Sequence, residues 1–311
     1  MGLRRSLQTV GSGLLARWPI RPHVARRRLT TLDHALAAGL PEVLAEPLRF
    51  LATNRIPQDA QAAAAAVEAA RRLLPKQGLA PYGWLSHRAT PLSIVSVNRR
   101  WGLFLHLCAR ALAAETICEF GTAVGISGSY LALAPSCRQF YGLDGSAARL
   151  DLAKATFSRC GFRTTNSVRG SFDVAQDVPQ GKRLVASIEA EACLVLGPFE
   201  ETVPRLLASE LRIDLAYIDG DHRRQPTLDI FEQLTRCLRP GALVIFDDIR
   251  WTADMFETWG DLSEWPGFSD TVDVGRMGLG VWIGGDERPR VWDIAKGISW
   301  PKPVRVAADP V

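Results

Sequence analysis

An apolar stretch that runs into a carboxylate and two glycines constrains the fold of this 311-residue chain more than any other feature. Residues 117–127 read I-C-E-F-G-T-A-V-G-I-S. This pattern predicts a buried strand, a tight turn at Gly121 and Gly125, and a helix that begins near Ser127. Glycine lets the backbone turn sharply and approach a ligand closely, and a helix N-terminus offers free backbone N–H groups. The stretch therefore predicts an α/β unit with a ligand site at the turn.

The turn differs from the glycine-rich turn of dinucleotide-binding folds. Ala123 stands at the middle glycine position, and the acidic Glu119 precedes the first glycine instead of following it by about twenty residues. A pyrophosphate would be repelled by this carboxylate. A cofactor with positive charge, such as the sulfonium and amino group of S-adenosylmethionine, would be attracted to it.

Three further apolar stretches also end in acidic residues. The stretch 140–144 ends at Asp144, about twenty residues beyond the glycines, where an acid can accept both ribose hydroxyls of a cofactor. The stretches that begin at 215 and 243 lead into Asp219, Asp221, Asp247 and Asp248. Because parallel strands end at one edge of a sheet, these carboxylates predict a ligand crevice there.

Three motifs together resemble the class I S-adenosylmethionine-dependent methyltransferases, in particular those similar to catechol and caffeoyl-CoA O-methyltransferases. They read E-F-G-T-A-V-G-I-S at 119–127, Y-I-D-G-D-H at 217–222 and L-R-P-G-A-L-V-I-F-D-D at 238–248. The resemblance implies an α/β fold: a Rossmann-like, doubly wound, mostly parallel seven-stranded sheet with an antiparallel last strand, preceded by a helical N-terminal section. It also implies an enzyme that transfers a methyl group from S-adenosylmethionine to a hydroxyl of a small molecule.

The resemblance also implies which residues bind the cofactor. The turn would embrace the methionine portion of S-adenosyl-L-methionine, and the acid after the second strand would bind its ribose. The residues implied are Glu119, Gly121, Thr122, Gly125, Ser127 and Asp144. Two segments, 168–173 and 195–200, compete for the place against adenine, and residues 171–195 are a candidate inserted hairpin.

A divalent metal on the acceptor side is a further implication. Relatives that use Mg²⁺ hold it with an Asp after the fourth strand and an Asp-Asn pair after the fifth, which implies Asp219, Asp247 and Asp248 here. Carboxylates suit Mg²⁺ or another divalent cation, which keeps sites for substrate oxygens. The alternative is that these acids cap helices or accept backbone N–H groups. The chain departs from the pattern at Asp248, where the relatives carry Asn.

His222 is the predicted general base, and Asp219 is predicted to share in catalysis as a metal ligand. A catalytic lysine often stands at the position of His222 in the resembling enzymes. Neighbouring carboxylates would raise the near-neutral pKa of the imidazole. Alternatively, His222 is hydrogen-bonded to Asp221 or is itself a metal ligand. Nearby, three tryptophans either line a flat acceptor pocket or pack in the core: Trp251, Trp259 and Trp265.

Two other classes of function stay open: a metal-independent methyltransferase that acts on nitrogen, nucleic acid or protein, and a non-catalytic cofactor-binding protein. Enzymes that methylate amino groups typically carry an Asn/Asp-Pro-Pro-aromatic run after the fourth strand, whereas residues 218–222 read I-D-G-D-H. A non-catalytic relative is expected to lose some strand-end acids. All of them are present here.

Composition and charge indicate the cellular compartment of the protein and the partners that it is able to bind. No run approaches the roughly 20 apolar residues of a membrane span, and six cysteines without a C-x-x-C pair indicate free thiols in a reducing compartment. These features predict a cytoplasmic protein. Residues 1–30 contain seven arginines and no acid, whereas 30 basic and 33 acidic residues follow, so nucleic acid is an unfavoured partner. The basic tail is frayed, touches an anionic membrane surface, or is a presequence.

The chain is predicted to divide into four parts. Residues 1–30 form the basic tail, and residues 31–89 form a helical cap that covers the catalytic domain or makes a homodimer surface. Residues 90–285 form the methyltransferase domain, and residues 286–311 form a C-terminal extension.

Overall fold

The structure is a computed structural model that describes residues 31–75, 96–168 and 190–295. The predictions for the basic tail, for residues 169–173 and for the end of the C-terminal extension fall outside the described residues. Within the described ranges, no helix combines the length and the apolar character that crossing a bilayer requires.

Helices and one short 3₁₀ segment precede the sheet. They are α1 (Leu32–Ala37), the 3₁₀ segment (Glu42–Leu44), α2 (Ala45–Thr53), α3 (Ala60–Arg72) and α4 (Arg99–Ala111). Nine of the thirteen residues of α4 are buried, so this helix lies inside the protein rather than on its surface. The cluster of apolar side chains around α4 includes Leu48, Phe104 and Ile117. The N-terminal helices therefore share a core with the sheet.

Nine strands form a single sheet within the described residues. They are β1 (Thr116–Phe120), β2 (Gln139–Asp144), β3 (Arg163–Val168), β4 (Glu191–Leu196), β5 (Ile213–Ile218), β6 (Leu238–Phe246), β7 (Phe268–Asp273), β8 (Gly278–Trp282) and β9 (Arg290–Asp293). Their order across the sheet is β3-β4-β2-β1-β5-β6-β8-β7-β9. Only β8 pairs with its neighbours in the antiparallel sense among the pairs described.

The predicted fold class is confirmed, with one correction to the size of the sheet. The sheet has nine strands instead of seven, because β3 adds a strand at one edge and β9 adds one at the other. Edge strands depend on pairing with distant parts of the chain, which local patterns do not reveal. The predicted antiparallel strand is β8, and β9 follows it in the chain and pairs with β7 in the parallel sense.

Helices cover both faces of the sheet. The intervening helices are α5 (Ile126–Ala132), α6 (Ala147–Arg159), α7 (Phe199–Ala208), α8 (Arg224–Leu234) and α9 (Ala253–Leu262). Successive residues of β5 enter different apolar clusters: Tyr217 packs with α4, α5 and α6, whereas Ala216 packs with α7, α8 and α9. Such two-sided burial is typical of parallel strands. Polar side chains of these strands therefore lie mainly where the strands end.

The pairing of β4 bears on the two segments that compete for adenine. β4 lies directly beside β2, with Leu196 opposite Asp144, and the N–H of Gly197 donates to the carbonyl of Asp144 at 3.1 Å. β3 lies one strand farther from the centre. Segment 195–200 therefore adjoins the end of β2, whereas Val168 lies farther out.

Candidate functional site

The glycine turn lies at the carboxyl edge of the sheet, between β1 and α5. Gly121 has a φ of +99°, and a Cβ there would clash with the backbone oxygen of Asp219. Gly125 has a φ of +78° and precedes the first residue of α5. The N–H groups of Gly121 and Thr122 donate to the carbonyl of Leu143 at 2.9 and 3.1 Å. These bonds fix the turn against the end of β2.

Glu119 is a buried carboxylate beside this turn. Its side chain is fully buried, and neither of its oxygens accepts a hydrogen bond from the described residues. The Thr122 hydroxyl is likewise buried without a partner in this part of the chain. Burial raises the pKa of Glu119 to about 7, although the nearby Ser127 and Thr122 hydroxyls act in the opposite direction. A buried acid without a partner is costly, so a cationic ligand bound at the turn would stabilise it.

Asp144 ties the end of β2 to the turn. One oxygen accepts the N–H of Ala123 at 2.9 Å, and the other accepts the N–H of Ser146 at 2.8 Å. Burial raises the pKa of Asp144, and these two bonds oppose that effect. A carboxylate has about four lone-pair sites. Its bonds to the backbone therefore leave capacity for ribose hydroxyls.

Asp219 and His222 follow the end of β5, and the Asp219 carbonyl lies against Gly121 of the glycine turn. His222 Nε2 is 3.7 Å from Asp219 Oδ1, and the Tyr217 hydroxyl oxygen lies 3.2 Å from Asp219 Oδ2. The His222 ring meets the ring of Trp251 edge-to-face, with centroids 4.9 Å apart. The imidazole is thus held between a carboxylate and an aromatic ring.

The prediction for the pKa of His222 is wrong in sign. Burial lowers this pKa below the ordinary 6.5, although the carboxylates of Asp247 and Asp221 act to raise it. The suggested hydrogen bond from His222 to Asp221 is also not seen. Both Asp221 oxygens instead accept hydrogen bonds from Arg223 at 2.5 Å.

Asp247 ends β6 and is paired with Arg276, a residue that the motifs do not include. Nε of Arg276 donates to Asp247 Oδ1 at 2.8 Å, and Nη2 donates to Oδ2 at 2.6 Å. The Tyr217 hydroxyl donates to Oδ2 at 2.7 Å, and the Asp248 N–H donates to Oδ1 at 2.8 Å. Every oxygen of this fully buried carboxylate therefore has two donors.

The charges around Arg276 act on one another strongly. Burial tends to raise the pKa of Asp247, but the guanidinium and the Tyr217 hydroxyl outweigh it and lower that pKa. Burial and the Asp247 charge raise the pKa of Asp248 to about 7. Burial, together with Asp247 and Asp248, also holds the pKa of Asp219 well above its usual range.

The donor set does not fit the predicted metal site. A metal ion needs free carboxylate oxygens, and both oxygens of Asp247 are taken by Arg276 and Tyr217. The set of Asp219, Asp247 and Asp248 is therefore not supported. Asp219, His222 and Asp248 do offer ligand atoms within 4.8 Å of one another. A positively charged group already adjoins these three residues, because Arg276 Nε lies 3.3 Å from Asp248 Oδ1.

The position of Arg276 follows from the β7–β8 hairpin. β7 runs in the same direction as β6, so its turn lies at the carboxyl edge with the strand-end acids. The sequence signal for this residue is an arginine directly after Gly275, in the turn between the last two predicted strands. It becomes informative only once the order of the strands is known.

The three tryptophans separate into two groups. Trp251 is 46% exposed beside His222. Trp259 is buried against Phe246, and the partly buried Trp265 packs against Phe231. Of the three, only Trp251 is placed to meet an acceptor.

Several solved structures resemble this chain at low identity. Cofactor-bound Rv0187 from MTB is 22% identical, with 79% of this chain and 100% of that chain covered and a TM-score of 0.48. The O-methyltransferase TomG from Streptomyces achromogenes, in complex with SAM, is 19% identical, with 77% and 96% covered and a TM-score of 0.47. An O-methyltransferase from Bacillus cereus, in complex with SAH, is 17% identical, with 76% and 97% covered and a TM-score of 0.44. No curated protein matches the chain.

A family model described as "Methyltransferase domain" matches residues 118–249. The match begins in β1 and ends just after Asp248, so it includes the glycine turn and the strand-end acids at 144, 219, 247 and 248. Over this stretch, the predicted resemblance to methyltransferases is confirmed.

Proposed function

We propose that this chain, whose residues 118–249 match a family model described as "Methyltransferase domain", transfers a methyl group from S-adenosylmethionine to a hydroxyl oxygen of a small molecule. The observation that carries the proposal is Glu119, a fully buried carboxylate at the glycine turn without a hydrogen-bond partner in the described structure. A cofactor with a sulfonium and an amino group supplies the missing positive charge. A pyrophosphate cofactor would add repulsion instead.

The two ends of the cofactor have complementary partners in this proposal. The backbone of the turn, Glu119 and the start of α5 hold the methionine portion, and Asp144 accepts the ribose hydroxyls. Segment 195–200 lies against adenine, because its strand adjoins the end of β2. Asp144 keeps the turn in shape at the same time through its bond to Ala123.

The acceptor side must hold a hydroxyl in line with the methyl group and remove its proton. S-adenosylmethionine, when bound, supplies a methyl group made electrophilic by the sulfonium. The acceptor oxygen forms its bond to the methyl carbon as the carbon–sulfur bond breaks, and that electron pair stays on sulfur. The proton passes to His222, whose lowered pKa keeps it neutral and able to accept a proton near pH 7. Asp219, 3.7 Å away, restricts the orientation of the imidazole.

The surroundings of His222 favour a flat acceptor. Trp251 exposes nearly half of its surface beside the imidazole, and an indole face packs well against an aromatic ring. A hydroxyl on such a ring would reach His222 while the ring contacts Trp251. We therefore extend the proposal to acceptors with a phenolic hydroxyl.

The cellular setting is proposed from the cysteines. The six cysteines are free, and all but the half-buried Cys193 are buried, which suits the reducing cytoplasm. A homodimer through the N-terminal helices and contact of residues 1–30 with a membrane surface remain proposals as well.

Asp144→Ala should weaken binding of S-adenosylhomocysteine by about 10- to 150-fold, because it removes charge-assisted hydrogen bonds of about 1.5–3 kcal/mol. Calorimetry with the full chain checks this, and wild-type affinity should be micromolar to sub-millimolar. Asp214→Ala is the matched control. Asp214 also accepts two backbone N–H groups, from Glu115 and Thr116, but it lies at the opposite edge of the sheet. Binding of NAD in place of both S-adenosyl compounds would contradict the proposed function.

A further inference from the structure

We propose that the guanidinium of Arg276 is the resident cation of the acceptor site, in the place that the metal-dependent enzymes give to a divalent ion, and that methyl transfer by this chain needs no metal. This inference rests on the proposed function. Arg276 acts through the carboxylates that it neutralises, so it is a positioning residue. Its role follows from three sets of contacts.

The first set joins Arg276 to the strand-end acids. The guanidinium binds both oxygens of Asp247, at 2.8 and 2.6 Å, and its Nε lies 3.3 Å from Asp248 Oδ1. Such two-point pairing between arginine and carboxylate is strong and geometrically specific. A metal ion that bound Asp247 would have to displace the guanidinium from a carboxylate with no exposed surface.

The second set fixes the turn that carries Arg276. The Arg276 carbonyl accepts the N–H of Ile249 at 3.0 Å, and the N–H of Val274 donates to the Met277 carbonyl at 3.0 Å. Asp273 accepts the N–H of Gly275 at 2.8 Å and a bond from Arg250 at 2.6 Å. The turn is therefore bonded to the segment that follows Asp248, and the guanidinium is held ready before any ligand binds.

The third set concerns the remaining acidic cluster of Asp219, His222 and Asp248. Their ligand atoms lie within 4.8 Å of one another, which by itself would suit a cation. Arg276 already supplies positive charge to Asp248 at 3.3 Å. A dication on Asp248 would be repelled by this neighbouring guanidinium. The contacts favour the guanidinium over a metal as the cation of this cluster.

Titration of Mn²⁺ alone into the full-length protein tests the inference, with free Mn²⁺ followed by electron paramagnetic resonance. Wild-type protein should show no site tighter than about 1 mM. Arg276→Ala should gain a site at least about tenfold tighter, because it leaves Asp219, Asp247 and Asp248 without a neutralising cation. Arg276→Lys, which keeps the positive charge, should behave like wild type.

Arg290→Ala is the matched control. Arg290 pairs with the buried Asp270 at 2.8 Å, and β7 and β9, which carry this pair, lie at the outer edge of the sheet. This substitution also leaves a buried carboxylate without its guanidinium, but Asp270 is not in the acidic cluster. It should create no Mn²⁺ site, so a gain confined to Arg276→Ala reports on the acceptor site.

Two results would overturn the inference. One is a wild-type Mn²⁺ site tighter than about 1 mM that Asp219→Asn abolishes, since the acidic cluster would then hold metal beside Arg276. The other is a folded Arg276→Ala protein that gains no site. If Arg276→Ala does not fold, the wild-type and Arg276→Lys titrations still decide. Because Mn²⁺ binding does not require methyl transfer, failure to bind S-adenosylhomocysteine would contradict the proposed function separately.

Discussion

Asp247→Ala is expected to lower the free energy of unfolding by about 3–5 kcal/mol, because it leaves a buried guanidinium without its main partner. Asp247 is fully buried and accepts two bonds from Arg276 and one from Tyr217. The Arg276 side chain is only 24% exposed, so water replaces little of what is lost. Urea denaturation, followed by circular dichroism, gives the change in unfolding free energy.

Asp248→Asn is the control for that experiment. Asp248 lies in the same turn, is 30% exposed and meets Arg276 at 3.3 Å, and its φ of +50° is one that Asn tolerates. Asp248→Asn should lower the free energy of unfolding by about 1 kcal/mol or less. Replacing both partners, as in Asp247→Leu with Arg276→Met, should recover part of the loss. Equal losses for the two single variants at 247 and 248 would argue against a dominant buried pair.

His222→Ala should lower turnover by about 10²- to 10⁴-fold, because it removes the proposed general base. Affinity for S-adenosylhomocysteine should stay unchanged, since the proposed contacts of the cofactor are with Glu119, Asp144 and the glycine turn and not with His222. Steady-state kinetics with an acceptor, together with calorimetry, separate the two effects. His222→Lys should retain more activity than His222→Ala, because an amine can also accept the proton.

The pH profile gives an independent check on His222. A neutral imidazole accepts the proton, so turnover should fall as the pH drops through the pKa of His222. Burial places that pKa below the ordinary 6.5, and the acid limb should therefore lie below this value. Asp221→Asn should move the acid limb to still lower pH, because it removes a negative charge that raises the pKa of His222. Full turnover of His222→Ala would contradict the role of His222 as general base. The chain would then contribute to the acceptor step only by positioning the reactants.

The central part of the fold is predictable from short patterns. Gly121, Gly125 and the strand-end acids are local features, because each follows directly from an apolar stretch and a turn. Parallel strands then bring these ends to one edge without further information. This is why Glu119, Asp144 and Asp219 all lie in or directly after the last residues of neighbouring strands.

The remaining features depend on contacts between distant parts of the chain. Arg276 is 29 positions from Asp247, and only the β7–β8 hairpin brings the two together. The pKa of His222 depends on burial, which the sequence around it does not report. The proposal that segment 195–200, and not 168–173, contacts adenine likewise rests on the pairing of β4 with β2, which local patterns do not reveal.

The most direct measurement is incubation of the full chain with a small-molecule extract and S-adenosylmethionine that carries a labelled methyl group. Mg²⁺ is supplied, so that a metal requirement cannot mask transfer, and labelled products are identified by mass spectrometry. The account predicts that the label appears on a hydroxyl oxygen of a small molecule and that Asp144→Ala and His222→Ala reduce it, while Asp214→Ala does not. Label on nitrogen, nucleic acid or protein, or no transfer by a chain that binds the cofactor, would contradict it.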